Sequence, residues 1–280
     1  MRTVLALAAA ASVAVAIATP AAGDGGPSPG VAMGWTGVTA PGGATRWVTM
    51  GGSRDTVVAQ ISTRSGRVER YGVVRGIVGV PLVAWDGTTS GLLPDGRTLV
   101  LAAPIFGANH SASRFLLYDL KRLRVRDEIV LRGACSFDAI SPSGRTLYLI
   151  EHVRPAKDPT RYRVRAYDLP SRRLLAGAIR DRRNRHTTMN GWPYSRATSG
   201  DGVWAYTLYG GGQYAFVHAL NTARREAVCI ALPWPGRAAK LVGLRMTRRG
   251  SRLLVRMPKG GEAATIDLTS FRVTKARRLT

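Results

Sequence analysis

Acidic residues and cysteines are scarce in this 280-residue chain, and each shortage argues against a class of protein. Only 17 Asp and Glu residues oppose 41 Lys and Arg residues, which gives a formal net charge of +24. So few carboxylates argue against a glycosidase, which needs two facing acids. Asp86 and Asp138 form the best available pair. The only cysteines are Cys135 and Cys229, which lack zinc-ligand spacing and cannot build a disulfide framework.

Long apolar segments are also missing, apart from one near the start. Residues 4–18 are apolar and rich in alanine, follow Arg2, and precede small residues at 19–23. These features predict a cleaved secretory signal peptide over 1–23, followed by a flexible linker over 24–30. A permanent anchor is the alternative, but the run is shorter than the roughly 20 residues that a spanning helix needs. We therefore expect a secreted or extracytoplasmic protein.

A phrase that repeats about every fifty residues dominates the rest of the chain. A turn containing glycine leads into a β-rich run, and a second β-rich run ends in Asp-Leu or a related pair. The turn glycines are Gly96, Gly144, Gly202 and Gly250. The leucines that close the phrase are Leu120, Leu169, Leu220 and Leu268. A degenerate first copy fits residues 43–61, and such a period indicates a repeat fold.

Each copy holds four short β-rich runs, which in the third copy are 137–140, 146–150, 162–169 and 174–179. The phrases Gly-Arg-Thr-Leu-Tyr-Leu and Tyr-Asp-Leu resemble blades of the WD-repeat and YVTN-type β-propeller superfamily over about residues 40–276. The resemblance implies an all-β propeller of about five four-stranded blades over 31–280. It implies no activity, because no Trp-Asp dipeptide stands at a blade end and the Tyr-Val-Thr-Asn signature is missing. A β-sandwich with similar hairpins is the alternative fold.

The register of the repeat separates the two cysteines. Cys135 precedes the first strand of the third unit, whereas Cys229 lies in the fourth strand of the next unit. A disulfide needs Cα atoms within about 7 Å. Two buried thiols are therefore expected, and a disulfide in an oxidising compartment is the alternative.

Basic residues cluster at one type of turn. In a propeller, the turns that join strands one to two and three to four lie on one rim, so this rim is predicted to carry a basic face. Its members are Lys121, Arg122, Arg172, Arg173, Arg224, Arg225, Arg248 and Arg249. A basic face favours docking to an anionic envelope polymer or lipid surface, and ordinary solvated turns are the alternative. Nucleic acid is not expected as a partner, because export separates the protein from it and no binding motif is present.

The opposite rim collects histidines and aromatic residues on longer loops, where binding functions are often located. The predicted binding residues are Trp85, Asp86, His110, His152, His186, Trp192, Tyr194 and Trp234. Their rings could stack on a sugar or peptide, or pack between blades. The histidines, Asp86, Asp138 and Glu151 are the candidate metal ligands, but they lack metal-site spacing. Neither a metal nor a cofactor is predicted.

Three functions remain open at this point. The pattern favours a secreted, non-catalytic propeller that binds a ligand or partner at the cell envelope, assisted by the basic face. The alternative is a propeller hydrolase or lactonase with a site at the channel mouth, although no Gly-x-Ser-x-Gly nucleophile motif is present. A purely structural scaffold is the third possibility, and it predicts no ligand-sized pocket at the axis.

Overall fold

Antiparallel strands make up most of the described chain. The computed structural model describes residues 29–105, 111–154, 157–181, 183, 188–237, 241 and 243–279. Within these ranges, five antiparallel sheets follow one another along the sequence, and β1 (Val31–Ala32) pairs separately with β6 (Val80–Pro81). The predicted all-β class is confirmed. In the same ranges, no helix has the length and apolar character needed to cross a membrane.

The first two sheets differ in completeness. The first consists of β2 (Gly37–Thr39), β3 (Thr45–Gly51), β4 (Asp55–Ser62) and β5 (Val68–Arg75), paired in chain order. The second consists of β7 (Thr98–Ala102), β8 (Ala112–Asp119) and β9 (Arg124–Arg132). Two isolated bridges, from Leu92 to Leu99 and from Gly79 to Ala102, stand where a further strand would pair with β7. The degenerate first copy predicted over 43–61 corresponds to β3 and β4.

The first three strands of the third sheet are longer than predicted, whereas the fourth, predicted over 174–179, is shorter. It consists of β10 (Cys135–Ile140), β11 (Thr146–Arg154), β12 (Asp158–Asp168) and β13 (Arg173–Leu174), with β14 (Met189–Asn190) added to β12. His152 was expected in a loop over 151–160, but it lies in β11 opposite Tyr162 of β12. Both side chains are buried, which extends the hairpin beyond the predicted runs.

The fourth and fifth sheets each have four strands in chain order. The fourth consists of β15 (Trp192–Thr198), β16 (Trp204–Gly210), β17 (Tyr214–Asn221) and β18 (Glu226–Pro235). The fifth consists of β19 (Arg245–Arg249), β20 (Arg252–Arg256), β21 (Glu262–Asp267) and β22 (Arg272–Ala276). The Gly-Gly-Gly run at 210–212 leads from β16 into β17.

Apolar cores join consecutive sheets. Trp47 packs in the core between the first and second sheets, and Phe137 in the core between the second and third. Tyr162 packs between the third and fourth sheets, and Trp234 between the fourth and fifth. Burial of a sheet on both faces explains strands in which every residue is buried, such as β7.

The repeated sequence phrase has a direct structural cause. The acidic residue of the phrase caps the turn after it: Asp119, Asp168 and Asp267 each accept hydrogen bonds from backbone N–H groups two or three residues later. Asn221 caps the corresponding turn of the fourth sheet in the same way. The Asp-Leu pairs therefore mark the turns between third and fourth strands.

The residue after each cap ties that turn to the glycine turn of the same sheet. The N–H groups of Leu120, Leu169 and Leu268 donate to the carbonyls of Arg97, Arg145 and Ser251 at 2.8–2.9 Å. In the fourth sheet this bond is made by Thr222, which donates to Val203 at 2.8 Å. The fourth copy of the phrase is therefore Asn221-Thr222, and the predicted Leu220 was wrong by two positions because Asn replaces Asp there.

Candidate functional site

A buried serine and histidine face each other in the third sheet. Ser136 on β10 and His152 on β11 are hydrogen-bonded, with 2.7 Å between Oγ and Nε2, and each is 8% exposed. The other ring nitrogen, Nδ1, has no hydrogen-bond partner among the described residues. Burial lowers the pKa of His152 to about 4, so the ring is neutral at pH 7.

A buried ion pair connects this strand to the next sheet. The Asp138 carboxylate on β10 accepts a hydrogen bond from the Arg196 guanidinium on β15, and both side chains are almost fully buried. The register of β10 shifts between Phe137 and Ala139, which leaves Asp138 as the extra residue of a β-bulge. Bulges redirect side chains, and this one releases Asp138 from the regular alternation of the strand.

Aromatic rings and a second histidine are buried beside the ion pair. Tyr162 stacks on Tyr209 with ring centroids 4.9 Å apart. His218 on β17 is 1% exposed, and its pKa is lowered to about 4, mainly by burial. Burial also raises the pKa of Tyr162 well above its ordinary value. These groups are therefore uncharged at neutral pH.

The cavity at this cluster is small. It measures about 20 Å³ and is lined by Ser136, Asp138, His152 and Tyr162, with Pro29 of the N-terminal segment also on its wall. This volume accommodates about one water molecule. The polar cluster is therefore closed to a substrate in this conformation.

Two of the predicted aromatic residues meet, and one does not reach the surface. Trp85 and Trp192 form an edge-to-face pair with centroids 6.2 Å apart. Tyr194 is half-buried against the core of the fourth and fifth sheets. Trp234 is only 1% exposed, and its Nε1 donates to the Arg277 carbonyl at 2.7 Å. Its assignment to an exposed stacking surface is corrected, because β18 continues to Pro235 and carries the indole into the core.

The predicted polar ligands are dispersed. Asp86 accepts hydrogen bonds from the backbone and hydroxyl of Thr88, which makes it a turn cap. Glu151 is paired with Arg165 at 2.9 Å. His110 and His186 lie outside the described residues. Within the described ranges, no three His, Cys, Asp or Glu side chains converge on one point.

The two cysteines are unpaired, as the register predicted. Cys135 is buried and is the first residue of β10, whereas Cys229 is half-buried in β18. Burial raises the pKa of each thiol to about 11, so both remain protonated at neutral pH.

The eight residues of the predicted basic face are all exposed, but some are already neutralised. Arg122 pairs with Asp119 at 3.0 Å within its own turn. Arg172 pairs with Asp127 at 2.6 Å and so links the third sheet to the second. Lys121 and Arg173 flank these two residues, and Arg248 and Arg249 end β19.

Arg224 and Arg225 line an open groove of about 460 Å³. Its other wall is the segment 175–180 that follows β13, and Arg180 and Glu226 complete the polar lining. Across the described part of the chain, neither Arg224 nor Arg225 forms an ion pair. Their turn is capped by Asn221, and Arg225 has a φ of 57°, the left-handed value that Arg172 also has at the matching position.

Several residues of the two sites were not identified from sequence. Ser136, Arg196 and His218 belong to the buried cluster, and a signal existed for Ser136 and His218, since each is a polar residue inside a strand of mostly buried residues. Arg180 of the groove was not a predicted site residue either, and it lies between the repeat glycines Gly144 and Gly202.

No family model matches the chain, and no curated protein sequence does so. A functionally unknown protein from Desulfotomaculum acetoxidans matches in structure with a TM-score of 0.51 and 15% identity, over 89% of this chain and 69% of that one. The β-propeller domain of Myceliophteria thermophila Cps50 (Swd1) matches with a TM-score of 0.47 and 13% identity, over 85% and 68%. The fold is that of a β-propeller.

The propeller likeness extends to fold alone. Kuenenia stuttgartiensis hydrazine synthase matches with a TM-score of 0.42 and 22% identity, over 66% of this chain and 46% of that one. The present propeller thus spans about half the length of that chain. At such identities, function has to be argued from the propeller's own residues.

Proposed function

We propose that this propeller is an exported, non-catalytic protein that binds an anionic polymer of the cell envelope through the groove at Arg224 and Arg225. The observation that carries the proposal is a pair of exposed arginines, free of ion pairs with the described residues, in a groove of about 460 Å³. The surplus of positive charge over the whole chain adds a long-range attraction to polyanions.

The chemistry of arginine favours phosphate or carboxylate ligands. A guanidinium group presents a planar fork of donors that can bind either group through two parallel hydrogen bonds. The turn that carries Arg224 and Arg225 is already ordered by Asn221, which reduces the entropy lost on binding. A concave groove suits a polymer chain better than a flat lipid surface.

We infer that the five sheets close into a ring of five blades, which would hold the basic turns on one rim. Val48, Ala59 and Ile61 form a separate buried cluster on the first sheet. On the fifth sheet, Leu254 and Thr265 are buried although they alternate with residues of the core shared with the fourth sheet. A double-mutant cycle of Val48→Ala and Leu254→Ala tests ring closure. If these faces of the first and fifth sheets touch, the two losses of unfolding free energy are coupled by about 0.5 kcal/mol or more; if they are apart, the losses add.

Co-sedimentation with purified envelope fragments tests the binding function. Arg224→Ala with Arg225→Gly removes both charges, and glycine keeps the left-handed turn without strain. Arg64→Ala with Arg67→Ala removes the same charge from the corresponding turn of the first sheet, between β4 and β5. We expect at least a tenfold loss of affinity in the first variant and little change in the second. Equal losses of affinity in both variants would mean that binding depends on general charge attraction and not on the groove.

A hydrolase is the second candidate, and the Ser136–His152 hydrogen bond favours it. A serine bonded to a neutral imidazole is the arrangement in which the ring takes the proton of an attacking hydroxyl. Access would require displacement of the chain around Pro29. Labelling of Ser136 by a fluorophosphonate probe, abolished in Ser136→Ala, supports this function. An unlabelled native protein at high probe concentration contradicts it.

A further inference from the structure

A second open groove adjoins the one at Arg224 and Arg225. It measures about 720 Å³ and lies between the outer strands of the fourth and fifth sheets. Its polar lining consists of Asp181, Arg183 and Arg272, and Cys229 of β18 also forms part of the wall. Arg272 is the first residue of β22, directly after the turn between the third and fourth strands of the fifth sheet. Arg225 lies in the corresponding turn of the fourth sheet.

The linings of the two grooves meet at two consecutive residues of the chain. Arg180 lines the first groove, and the next residue, Asp181, lines the second. This stretch belongs to the longest interval between repeat glycines, from Gly144 to Gly202. Arg180 and Asp181 therefore connect the linings of the two grooves beside β18.

Asp181 fixes this connection in place. Its carboxylate accepts the backbone N–H of Cys229 at 2.9 Å, and its backbone bridges Ala227. The same carboxylate holds the Arg183 guanidinium at 2.6 Å. The hydrogen bonds from Arg183 and Cys229 lower the pKa of Asp181 to about 2, so the anchor is ionised throughout the neutral range.

We propose that the two grooves form one basic trough, whose ligand is a linear polyanion long enough to occupy both. This inference rests on the proposed function and specifies its ligand. Five arginines line the trough, namely Arg180, Arg183, Arg224, Arg225 and Arg272. Against the two carboxylates, Glu226 and Asp181, they leave a net charge of +3.

Length is the property that the trough selects. A short anion fills one groove only, whereas a longer chain engages the second groove without a new encounter, which raises affinity through effective concentration. Binding in the second groove should therefore matter only for long ligands.

Binding of inorganic polyphosphates of increasing length, from triphosphate to long chains, to the exported protein tests this dependence of affinity on ligand length. We expect the dissociation constant to fall stepwise by about tenfold or more once the chain spans both grooves. Arg272→Ala should abolish the step and leave triphosphate binding unchanged. Arg224→Ala with Arg225→Gly should weaken binding at every length, and Arg64→Ala with Arg67→Ala should have little effect at any length.

The outcomes separate the trough from the simpler groove. Affinity that rises smoothly with chain length, equally in wild type and Arg272→Ala, overturns the trough but leaves the first groove as a binding site. No binding of any polyphosphate or envelope fragment overturns both proposals. Tighter binding to anionic lipid vesicles than to the longest polyphosphate, insensitive to Arg272→Ala, overturns the choice of a linear ligand.

Discussion

Asp138 and Arg196 form a buried ion pair between the first strands of the third and fourth sheets, 58 residues apart in the chain. Removing one partner from such a pair leaves an uncompensated buried charge, which is costly in free energy. Replacing both partners by apolar residues avoids that penalty. The pair therefore connects two blades and holds the polar cluster around Ser136 and His152 in position.

We expect Arg196→Met to lower the free energy of unfolding by about 3–5 kcal/mol, because Asp138 would remain buried and unpaired. The double variant Asp138→Leu with Arg196→Met should lose less than the sum of the single variants. Urea denaturation measures all three proteins. A loss below about 1 kcal/mol in Arg196→Met would mean that the carboxylate is solvated.

Acid should destabilise the protein through its buried histidines. The folded-state pKa values of His152 and His218 are lowered to about 4, below the unfolded value of 6.5. The unfolded chain therefore binds more protons, and stability is full above pH 6.5 and falls as the pH drops from 6.5 towards 4. The loss approaches about 3 kcal/mol per histidine at the acid end. Denaturation at pH 7 and pH 4.5 measures it.

His218→Gln provides the control for this pH dependence. The variant should be less stable at pH 7 but lose roughly half as much stability on acidification as the wild type. Asp181, with its pKa lowered to about 2, contributes only to losses below its ordinary value of 3.8 and so leaves this window unaffected. An unchanged pH dependence in His218→Gln would show that this ring is hydrated in the folded protein.

Trp234 should act as a core residue and Trp85 as a surface residue. Trp234→Ala is expected to cost about 3–5 kcal/mol in unfolding free energy, as truncations of buried aromatic rings do. Trp234→Phe should cost less, because it keeps most of the ring packing and loses the bond to Arg277. Because Trp85 is 38% exposed, Trp85→Ala should lower the free energy of unfolding far less. Thermal unfolding ranks the stabilities of the three variants. A small loss of stability in Trp234→Ala would contradict the burial of this ring in the core.

The exported form should begin close to Asp24. If the signal peptide over 1–23 is cleaved after Gly23, N-terminal sequencing of protein recovered outside the cytoplasm gives Asp-Gly-Gly-Pro. This cleavage leaves Pro29 and β1 on the mature protein. Recovery of the chain with Met1 intact in a membrane pellet would indicate an anchor.

The repeat could be predicted from sequence because local chemistry specifies its turns. Gly144 has a φ of 65°, and Asp168 caps a turn through Ser171, so both residue types are required where they occur. The assignment of the basic turns to one rim, which follows from strand direction, stays a prediction. The fourth copy was misaligned because Asn221 performs the role of Asp without the Asp-Leu signature.

The buried cluster could not be predicted in the same way, because it depends on contacts between distant strands. Asp138 reaches Arg196 only because a β-bulge displaces it from the strand alternation, and a bulge has no clear sequence signature. Trp234 was expected in a loop on the rim, but β18 continues through it to Pro235. The grooves depend on residues 175–181 after β13, where Asp181 is hydrogen-bonded to Cys229 of β18.

A crystal structure with a long polyphosphate chain bound tests the account most directly. We predict phosphate density beside Arg224 and Arg225 that continues past Asp181 to Arg272. Density confined to another surface, such as the one around Trp85 and Trp192, with both grooves filled only by solvent, would contradict the central claim.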